Sequence, residues 1–582
     1  MQRDEELDMT KRILSLVLIA IMMLLPITSY VSATEDSSYL INNIPDIVLP
    51  GVTQESFNDS FKVLEEAVVE ASSSNPVYGF EYPFCGPGGA YGPCWWQLDT
   101  SLATAGAKWT NQEFAENVLR NFILIQREDG RIPLHGPDTL LNEDLKCSSL
   151  PKLFRTAYEI LQRTEDRELI KDTYEMLKKY LDWWLTVRRH EDTGLILGIV
   201  EEFLPGSNEF AIPVETNVEV IEGCIVVSKL ADYLNKDEDS RYYAQEGEKI
   251  KSAMNTHMWN SKNGRYISLR GNGKPSLKAA WSIANFDVLR NGIATQDRIE
   301  LLLKDLTDDS LFQWNTYPLT SAAKTDPQYN ETPGAYGAIQ WYGSIWSLRN
   351  YSIIEGLEDI GRYDLAGYLA LKTVEIFDGN YAEFLNPPDG SGQGVLRYSW
   401  TASDYIQIIV EHIFGINYDS FTDTLTISPT LDSSLKGQTI SLKNLLLPDG
   451  GKLSVTIKYE EECIKISYET TGAKDFKKVI SLPSVSKEYA AVGKSVTKTT
   501  VGYSGSQYVV DNGKFSKDEI IFTDPDKVGD YVYVAPTQEP VQQDVKDTEF
   551  PHVYIAVLVV SVAVILGAIV IILSYIKKGK EE

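Results

Sequence analysis

Cysteine and histidine are scarce in this chain. Five cysteines in 582 residues, Cys85, Cys94, Cys147, Cys224 and Cys463, are too few to serve as a scaffold, so the fold must rest on buried apolar surface. Cys85 and Cys94 bracket a Gly/Pro-rich loop and either pair with each other or stand as two buried thiols. The five histidines, His135, His190, His257, His412 and His552, show no zinc-ligand spacing, and neither a Gly-x-Ser-x-Gly elbow nor a Walker loop occurs. Metal and serine chemistry are therefore set aside, and no cofactor is implied. Positive charge is also short: 54 Lys and Arg against 82 Asp and Glu leave a net charge of −28. Such a surface repels nucleic acid and anionic membranes but is indifferent to a neutral sugar.

The two charge-free runs lie at the ends. Lys11 and Arg12 precede an apolar run from Ile13 to Leu25, followed by Val31-Ser32-Ala33, which reads as an export signal over residues 1–33. The run falls short of the roughly 20 residues a spanning helix needs. Residues 553–576 form a second run of 24 residues without a charge, and Lys577, Lys578 and Lys580 follow at once. That order predicts a transmembrane helix with a short basic tail, 577–582, inside the cell, and the rest of the chain outside. An outer portion of about 515 residues exceeds one ordinary core, so two or more domains are expected.

What fills that outer portion changes period once. From about Glu55 to Phe414 amphipathic helices alternate with short turns: Phe154, Ala157, Tyr158 and Leu161 share one face, and Ile170, Tyr174, Leu177, Leu181 and Trp184 share the next. Thr164-Glu165-Asp166 between them offers an N-cap. Such hairpins recur every 50 to 70 residues or so without a strict repeat, enough for five or six of them; periodicity alone fits a closed ring and an open array equally. After Gly415 the alternation of Leu453, Val455, Ile457 and Tyr459, and of Ile464, Ile466 and Tyr468, predicts antiparallel strands in a β-sandwich over 416–535. A Pro/Gln/Asp/Glu-rich linker, 536–552, leads to the predicted membrane helix.

Chemistry is suggested by acidic residues beside Trp, Tyr, Asn and Gly in loops between helices. Aromatic faces stack on sugar C–H faces, and glycosidic cleavage needs two carboxyl groups flanking the bond. Four segments have this character: Trp95-Trp96-Gln97-Leu98-Asp99 with Gln126 and Asp129-Gly130-Arg131-Ile132-Pro133; Gly206-Ser207-Asn208-Glu209-Phe210 running to Glu215-Thr216-Asn217; Gln340-Trp341-Tyr342-Gly343-Ser344-Ile345-Trp346; and Glu383-Phe384-Leu385-Asn386-Pro387 with Tyr398-Ser399-Trp400-Thr401-Ala402.

At these segments, from about 75 to 425, the chain resembles the six-hairpin (α/α)6-barrel glycosidases, most closely mannosylglycerate hydrolases and processing α-glucosidases, with trehalases further off. The resemblance implies a mainly α protein: a toroid of helical hairpins over 34–415 followed by the β-sandwich. It implies Glu383 as catalytic base, heading a Glu-x-x-Asn-Pro run ahead of Trp400. The Glu-Ser-Gly-x-Asp string that carries the acid in processing α-glucosidases is absent, and Glu201-Glu202-Phe203 is its only relic. The segment around Glu209 instead shares its register with the maltose and kojibiose phosphorylases, which implies Glu209 as general acid, with Glu202 in reserve. Trp96, Asp99, Glu202, Trp341 and Trp400 are the expected sugar-binding residues.

Each residue also has a plainer reading. A loop glutamate is usually a solvated charge, Asp99 would cap a helix beginning at Thr100, and Trp183-Trp184 sits at core spacing. The expected function is an inverting, cell-surface glycoside hydrolase acting on an α-linked oligosaccharide or glycoconjugate, held in the lipid bilayer by its C-terminal helix. A glycan-binding or structural protein on a degenerate barrel and a glycoside phosphorylase fit the same residues.

Overall fold

The computed structural model describes residues 38–72, 79–136, 147–198, 211–275, 281–327, 329–331, 343–459, 463–473, 477–482, 499–503, 506–511 and 518–522. Contacts divide the chain into a large unit, Met1–Asp530, and a small one, Tyr531–Glu582. The whole small unit lies outside the described residues, as do the N-terminal apolar run and the predicted membrane helix. Among the described residues no helix is long and apolar enough to cross a membrane.

Among the described residues twelve helices build the barrel, the eighth of them, Ile283–Gly292, wound as a 3₁₀ helix. They are α1 (Gln54–Ser72), α2 (Gln97–Ala107), α3 (Gln112–Ile125), α4 (Leu153–Leu161), α5 (Arg167–Val187), α6 (Val214–Tyr233), α7 (Asp237–His257), α8 (Ile283–Gly292), α9 (Gln296–Leu306), α10 (Ser347–Asp359), α11 (Tyr363–Phe377) and α12 (Ser399–Gln407). The neighbour relations close a ring: α2 packs on α4, α4 on α6, α6 on α8, α8 on α10, α10 on α12, and α12 back on α2. The helix following each inner one lies outside it, and the sixth outer position is taken by α1, which packs on α12. The ring that periodicity could not decide is thus an (α/α)6 toroid.

Outer and inner helices are written differently. In α5 the predicted stripe of Ile170, Tyr174, Leu177, Leu181 and Trp184 is buried, and Asp166 accepts hydrogen bonds from the N–H groups of Glu168 and Leu169 at 3.0 Å. The side-chain cap satisfies donors that the first turn leaves unpaired. Trp183 and Trp184 are both core residues, packed edge to face at 4.9 Å. All eleven residues of α2 and all nine of α12 are buried, since one face meets the outer layer and the other the lumen. The two meet closely at Gly106, whose N–H donates to Ser403 Oγ at 2.8 Å.

Past α12 the helix continues to Ile413 in π form, and the strand domain begins at Ile416. Its strands are β2 (Ile416–Asp419), β3 (Thr424–Ile427), β4 (Thr439–Leu446), β5 (Lys452–Tyr459), β6 (Cys463–Thr471), β7 (Lys477–Leu482), β8 (Thr499–Tyr503), β9 (Ser506–Asp511) and β10 (Asp518–Phe522), preceded far upstream by β1 (Asp46–Val48). One sheet runs β1-β4-β5-β6-β9-β8 and the other β2-β3-β7-β10. The pattern of Leu453, Val455, Ile457 and Tyr459 is buried as expected, and β5 pairs antiparallel with β6. The expectation of purely antiparallel sheets is corrected: β6–β9, β3–β7 and β7–β10 run parallel. Alternation reports which face is buried; it carries nothing about the direction of a neighbour.

The strand domain is tied to the barrel. Ser420 Oγ donates to Thr164 O at 2.7 Å, Thr430 Oγ1 to Glu358 Oε1 at 2.7 Å, and Asn43 Nδ2 to Asn444 O at 2.8 Å. Cys85, Cys94, Cys147 and Cys224 are free thiols, so Cys85 and Cys94 do not pair; Cys85 is buried and Cys94 half-buried.

Ring closure yields the first prediction. A Cβ at Gly106 would stand 2.7 Å from Ser403 Cα, a backbone atom that cannot swing aside. Gly106→Ala should cost about 1–3 kcal/mol as overpacking of the seam, read as a lowered denaturant midpoint. An unchanged midpoint would show that the seam has slack.

Candidate active site

The N-terminal ends of the inner helices face one mouth. Trp95–Trp96 pair antiparallel with His135–Gly136, and Gln97 N–H donates to Leu134 O at 2.9 Å, which fixes the start of α2. The helix opens at Gln97 with Trp96 ahead of it, so Asp99 lies inside the first turn and does not cap a helix beginning at Thr100. Its side chain is buried and accepts a 2.5 Å hydrogen bond from Tyr398 Oη.

Glu383 comes from the chain between α11 and α12. Its N–H donates to Val395 O at 2.8 Å, and Phe384–Leu385 pair with Gly392–Gln393, so the segment folds back on itself. Gly394 lies against the carboxylate with φ +69°, and a Cβ there would run into Glu383 Oε2. Glu383 is 4% exposed, which excludes the solvated-charge reading. Oε1 accepts from Tyr91 Oη at 2.8 Å and Oε2 from Val395 N–H at 3.1 Å.

Aromatic residues wall the two carboxylates. Trp400 is buried at the start of α12, edge-on to Tyr398 at 4.7 Å and 6.0 Å from Trp346, whose ring lies 4.7 Å from Phe384. Paired backbone bonds between Ile345 and Leu385, 3.0 and 2.9 Å, bring Trp346 to this wall. Trp96 is half-buried at the same end of α2, with its ring 4.4 Å from His135.

The structure thus gathers Asp99, Glu383 and Trp400, with Trp96 at the same helix end. Glu202, Glu209 and Trp341 lie outside the described residues. Glu215, from the second of the four segments, is held in a buried ion pair with Arg349, which also binds Asp287 at 3.1 Å. Sequence reasoning missed the work of Tyr91 and Tyr398. Tyr398 directly precedes a helix start and Tyr91 stands in a glycine-rich loop, but neither signal names a carboxylate partner.

The electrostatics follow from burial. Loss of water pushes Asp99 up to about 7; the Tyr398 hydrogen bond holds it down, and the charge on Glu383 pushes it further up. Glu383 is raised too, again by burial, with the bonds from Tyr91 and Val395 opposing. Burial and the neighbouring carboxylates raise Tyr398 well above the ordinary tyrosine range, so it stays a hydrogen-bond donor. The arrangement offers one carboxylate kept ready to accept a proton and a second that accepts hydroxyl donors.

The family model for the mannosylglycerate hydrolase MGH1-like glycoside hydrolase domain matches residues 92–209 and 201–401, more than half of the chain. The chain belongs to that family. It is therefore a glycoside hydrolase, and its recognised segments lie within the matched region. An uncharacterized protein of Borreliella burgdorferi is 24% identical over 424 residues, 67% of this chain and 86% of that protein. The mannosylglycerate hydrolase of Rubrobacter radiotolerans is 24% identical over 179 residues, 30% of this chain and 38% of that enzyme. In fold, the crystal structure of a GH63 mannosylglycerate hydrolase from Thermus thermophilus superposes with a TM-score of 0.51 at 18% identity, covering 60% of this chain and 98% of that one.

Tyr91→Phe tests the electrostatics. It removes the donor on Oε1 while keeping the ring, so Glu383 should ionise at higher pH. If hydrolysis needs Glu383 ionised, the acid limb of kcat/KM should move up by about one pH unit. A limb that stays put, or moves down, would contradict the role given to this bond.

Proposed function

We propose that the protein hydrolyses an α-glycosidic bond with inversion, working from the outer surface of the cell on the end of an α-linked oligosaccharide or glycoconjugate. The observation that carries this reading is the buried carboxylate of Glu383, bonded on both oxygens and walled by aromatic rings at the mouth of the toroid. In this reading Glu383 takes the proton of the attacking water while Asp99 binds a sugar hydroxyl, with Trp96, Trp341 and Trp400 against the ring faces. Glu209 protonates the leaving oxygen, and Glu202 is the reserve for that role. Support for Glu209 comes from its neighbours: Ala211, two residues on, is bonded to Gly198 through both backbone groups at 2.9 and 2.8 Å and lies just ahead of α6. The N-terminus of α6 is at the same end of the ring as that of α2. Mannosylglycerate, named for two of the relatives, is one substrate to try beside α-glucosides and α-mannosides.

The chemistry is tested by two substitutions. Glu383→Gln keeps the shape and loses the acceptor, so turnover should fall by about a thousandfold with sugar binding retained. Glu209→Gln should cost far less on an activated aryl glycoside than on a natural disaccharide, because the aryl leaving group barely needs protonation. Equal losses on both substrates would transfer the acid role to Glu202 or another residue. An inverting pair requires carboxyl groups about 6.5–9.5 Å apart, a retaining pair about 5 Å, so the anomer first released, read by NMR, decides the stereochemistry.

The location is proposed on the charge-free run 553–576 and its basic tail. Protease added to intact cells should release nearly the whole outer portion by cutting between Pro536 and Thr548. Resistance in intact cells that disappears on lysis would reverse the assignment.

A further inference from the structure

The backbone leading into Glu383 runs beside the first turn of α12 and is held there residue by residue. Tyr398 N–H donates to Tyr381 O at 2.7 Å, Thr401 Oγ1 to Ala382 O at 2.9 Å, and Glu383 N–H to Val395 O at 2.8 Å. The outer two of these bonds join backbone to backbone. The middle one uses a side chain, and both Thr401 and Ala382 are fully buried.

Other helical hydroxyls in this protein turn back to their own helix. Ser101 and Thr104 in α2 donate to Gln97 O and Thr100 O at 2.5 and 2.6 Å, and Thr373 in α11 donates to Leu369 O at 2.7 Å. The carbonyl one turn back is the usual partner of a Ser or Thr hydroxyl inside a helix. Thr401 stands in the first turn of α12, with no turn of that helix behind it, and its hydroxyl reaches instead to a carbonyl 19 positions away. Branching at Cβ restricts χ1 and keeps the oxygen on that partner. Ser347 Oγ stands further off, at 3.4 Å, and is itself turned to Asp404 Oδ2 at 2.6 Å.

The Ala382 carbonyl and the Glu383 N–H belong to one rigid peptide plane and point to opposite sides of it. Thr401 holds one edge of that plane and Val395 O the other. Tilting the plane would draw Glu383 N–H off Val395 O, and Val395 is also the residue whose N–H donates to Glu383 Oε2 at 3.1 Å. Backbone and carboxylate of Glu383 thus share one partner, so slack in the plane passes to the carboxylate. Removing the hydroxyl also takes the donor from a buried carbonyl, a cost the chain relieves by shifting. We propose that Thr401 is a positioning residue: its hydroxyl fixes the Ala382–Glu383 peptide and, through it, the place of the Glu383 carboxylate. The inference rests on the reading of Glu383 as the base. Thr401, being fully buried, does not itself reach the substrate.

Variants of the full chain test this on whichever of the α-glucosides, α-mannosides and mannosylglycerate it hydrolyses. Thr401→Val keeps the shape and loses the hydroxyl, Thr401→Ser keeps the hydroxyl and loses a methyl, and Thr401→Ala loses both. In Thr401→Val and Thr401→Ala kcat should fall about tenfold with KM within about twofold, because a displaced reacting group slows the step without weakening binding. Thr401→Ser should keep most of the original kcat. A role in packing alone would spare Thr401→Val and impair Thr401→Ser and Thr401→Ala alike, and the Ser–Ala contrast decides even if Thr401→Val does not fold. Placed on top of Glu383→Gln, Thr401→Ala should cost little more, since the two act through one group. A crystal structure of Thr401→Ala should show the Glu383 carboxylate moved off its bonds to Tyr91 and Val395. Equal kcat in Thr401→Ser and Thr401→Ala, a loss confined to KM, or an unmoved carboxylate would each overturn the assignment. If Glu383→Gln keeps its turnover, the reading of Glu383 as base fails; an inactive Glu383→Gln beside a fully active Thr401→Ala sinks the positioning role alone.

Discussion

Charges enclosed by the inner helices must find partners, because a ring buried on both faces gives them no water. Glu219 on α6 takes Lys152 at 2.7 Å and Arg290 at 2.6 Å. Arg349 on α10 reaches Glu215 and Asp287, and Lys108 after α2 reaches Glu159 and Glu411. Burial would raise Glu219, but Arg290 and Lys152 overcome it and hold its carboxyl down at about 2. Removing one member of such a pair strands the other and typically costs about 3–5 kcal/mol. These pairs tie the inner helices to one another.

At the mouth the same difficulty has a different solution. Asp99 and Glu383 are both acids, both buried and close enough for the charge on Glu383 to raise Asp99, and among the described residues no ion pair relieves them. Phenols do, donating a hydrogen bond without adding charge. Tyr91 and Tyr398 also touch each other edge to face at 6.0 Å, so the two carboxylates share one aromatic brace. A cation in that place would tie a carboxylate up; a phenol leaves it basic. Family membership makes the protein a glycoside hydrolase and removes the ground for a purely structural barrel.

How much of this was legible depended on where water lies. The stripe of α5 could be read because the helix exposes one face. In α2, Gln97-Leu98-Asp99-Thr100-Ser101-Leu102-Ala103-Thr104-Ala105-Gly106-Ala107 shows no stripe because all of it is buried, and a ring with such helices in its inner layer cannot be counted or closed from periodicity. Glu383 and Asp99 were legible as members of motifs. The bond from Tyr91 to Glu383 spans 292 positions, and nothing local to Tyr91 foretells it. Strand alternation gave the buried faces of β5 and β6 but not the parallel partner β9, whose direction depends on a connection with no hydropathy signature.

The seam of the toroid has a consequence for how the chain comes to be folded. Gly106 and Ser403 are 297 positions apart, Tyr381 Oη donates to Ser56 O at 2.5 Å, and β1 pairs with β4. The first helix and the first strand are thus partners of segments made hundreds of residues later. A chain emerging from its N-terminus can form local hairpins such as α4–α5 early, yet it cannot lock the ring until Ser403 has appeared, nor seat β1 until Thr439–Leu446 follows. Until then the ring stays open, and both its seam and its first strand wait on partners about 300 to 400 positions further along the chain.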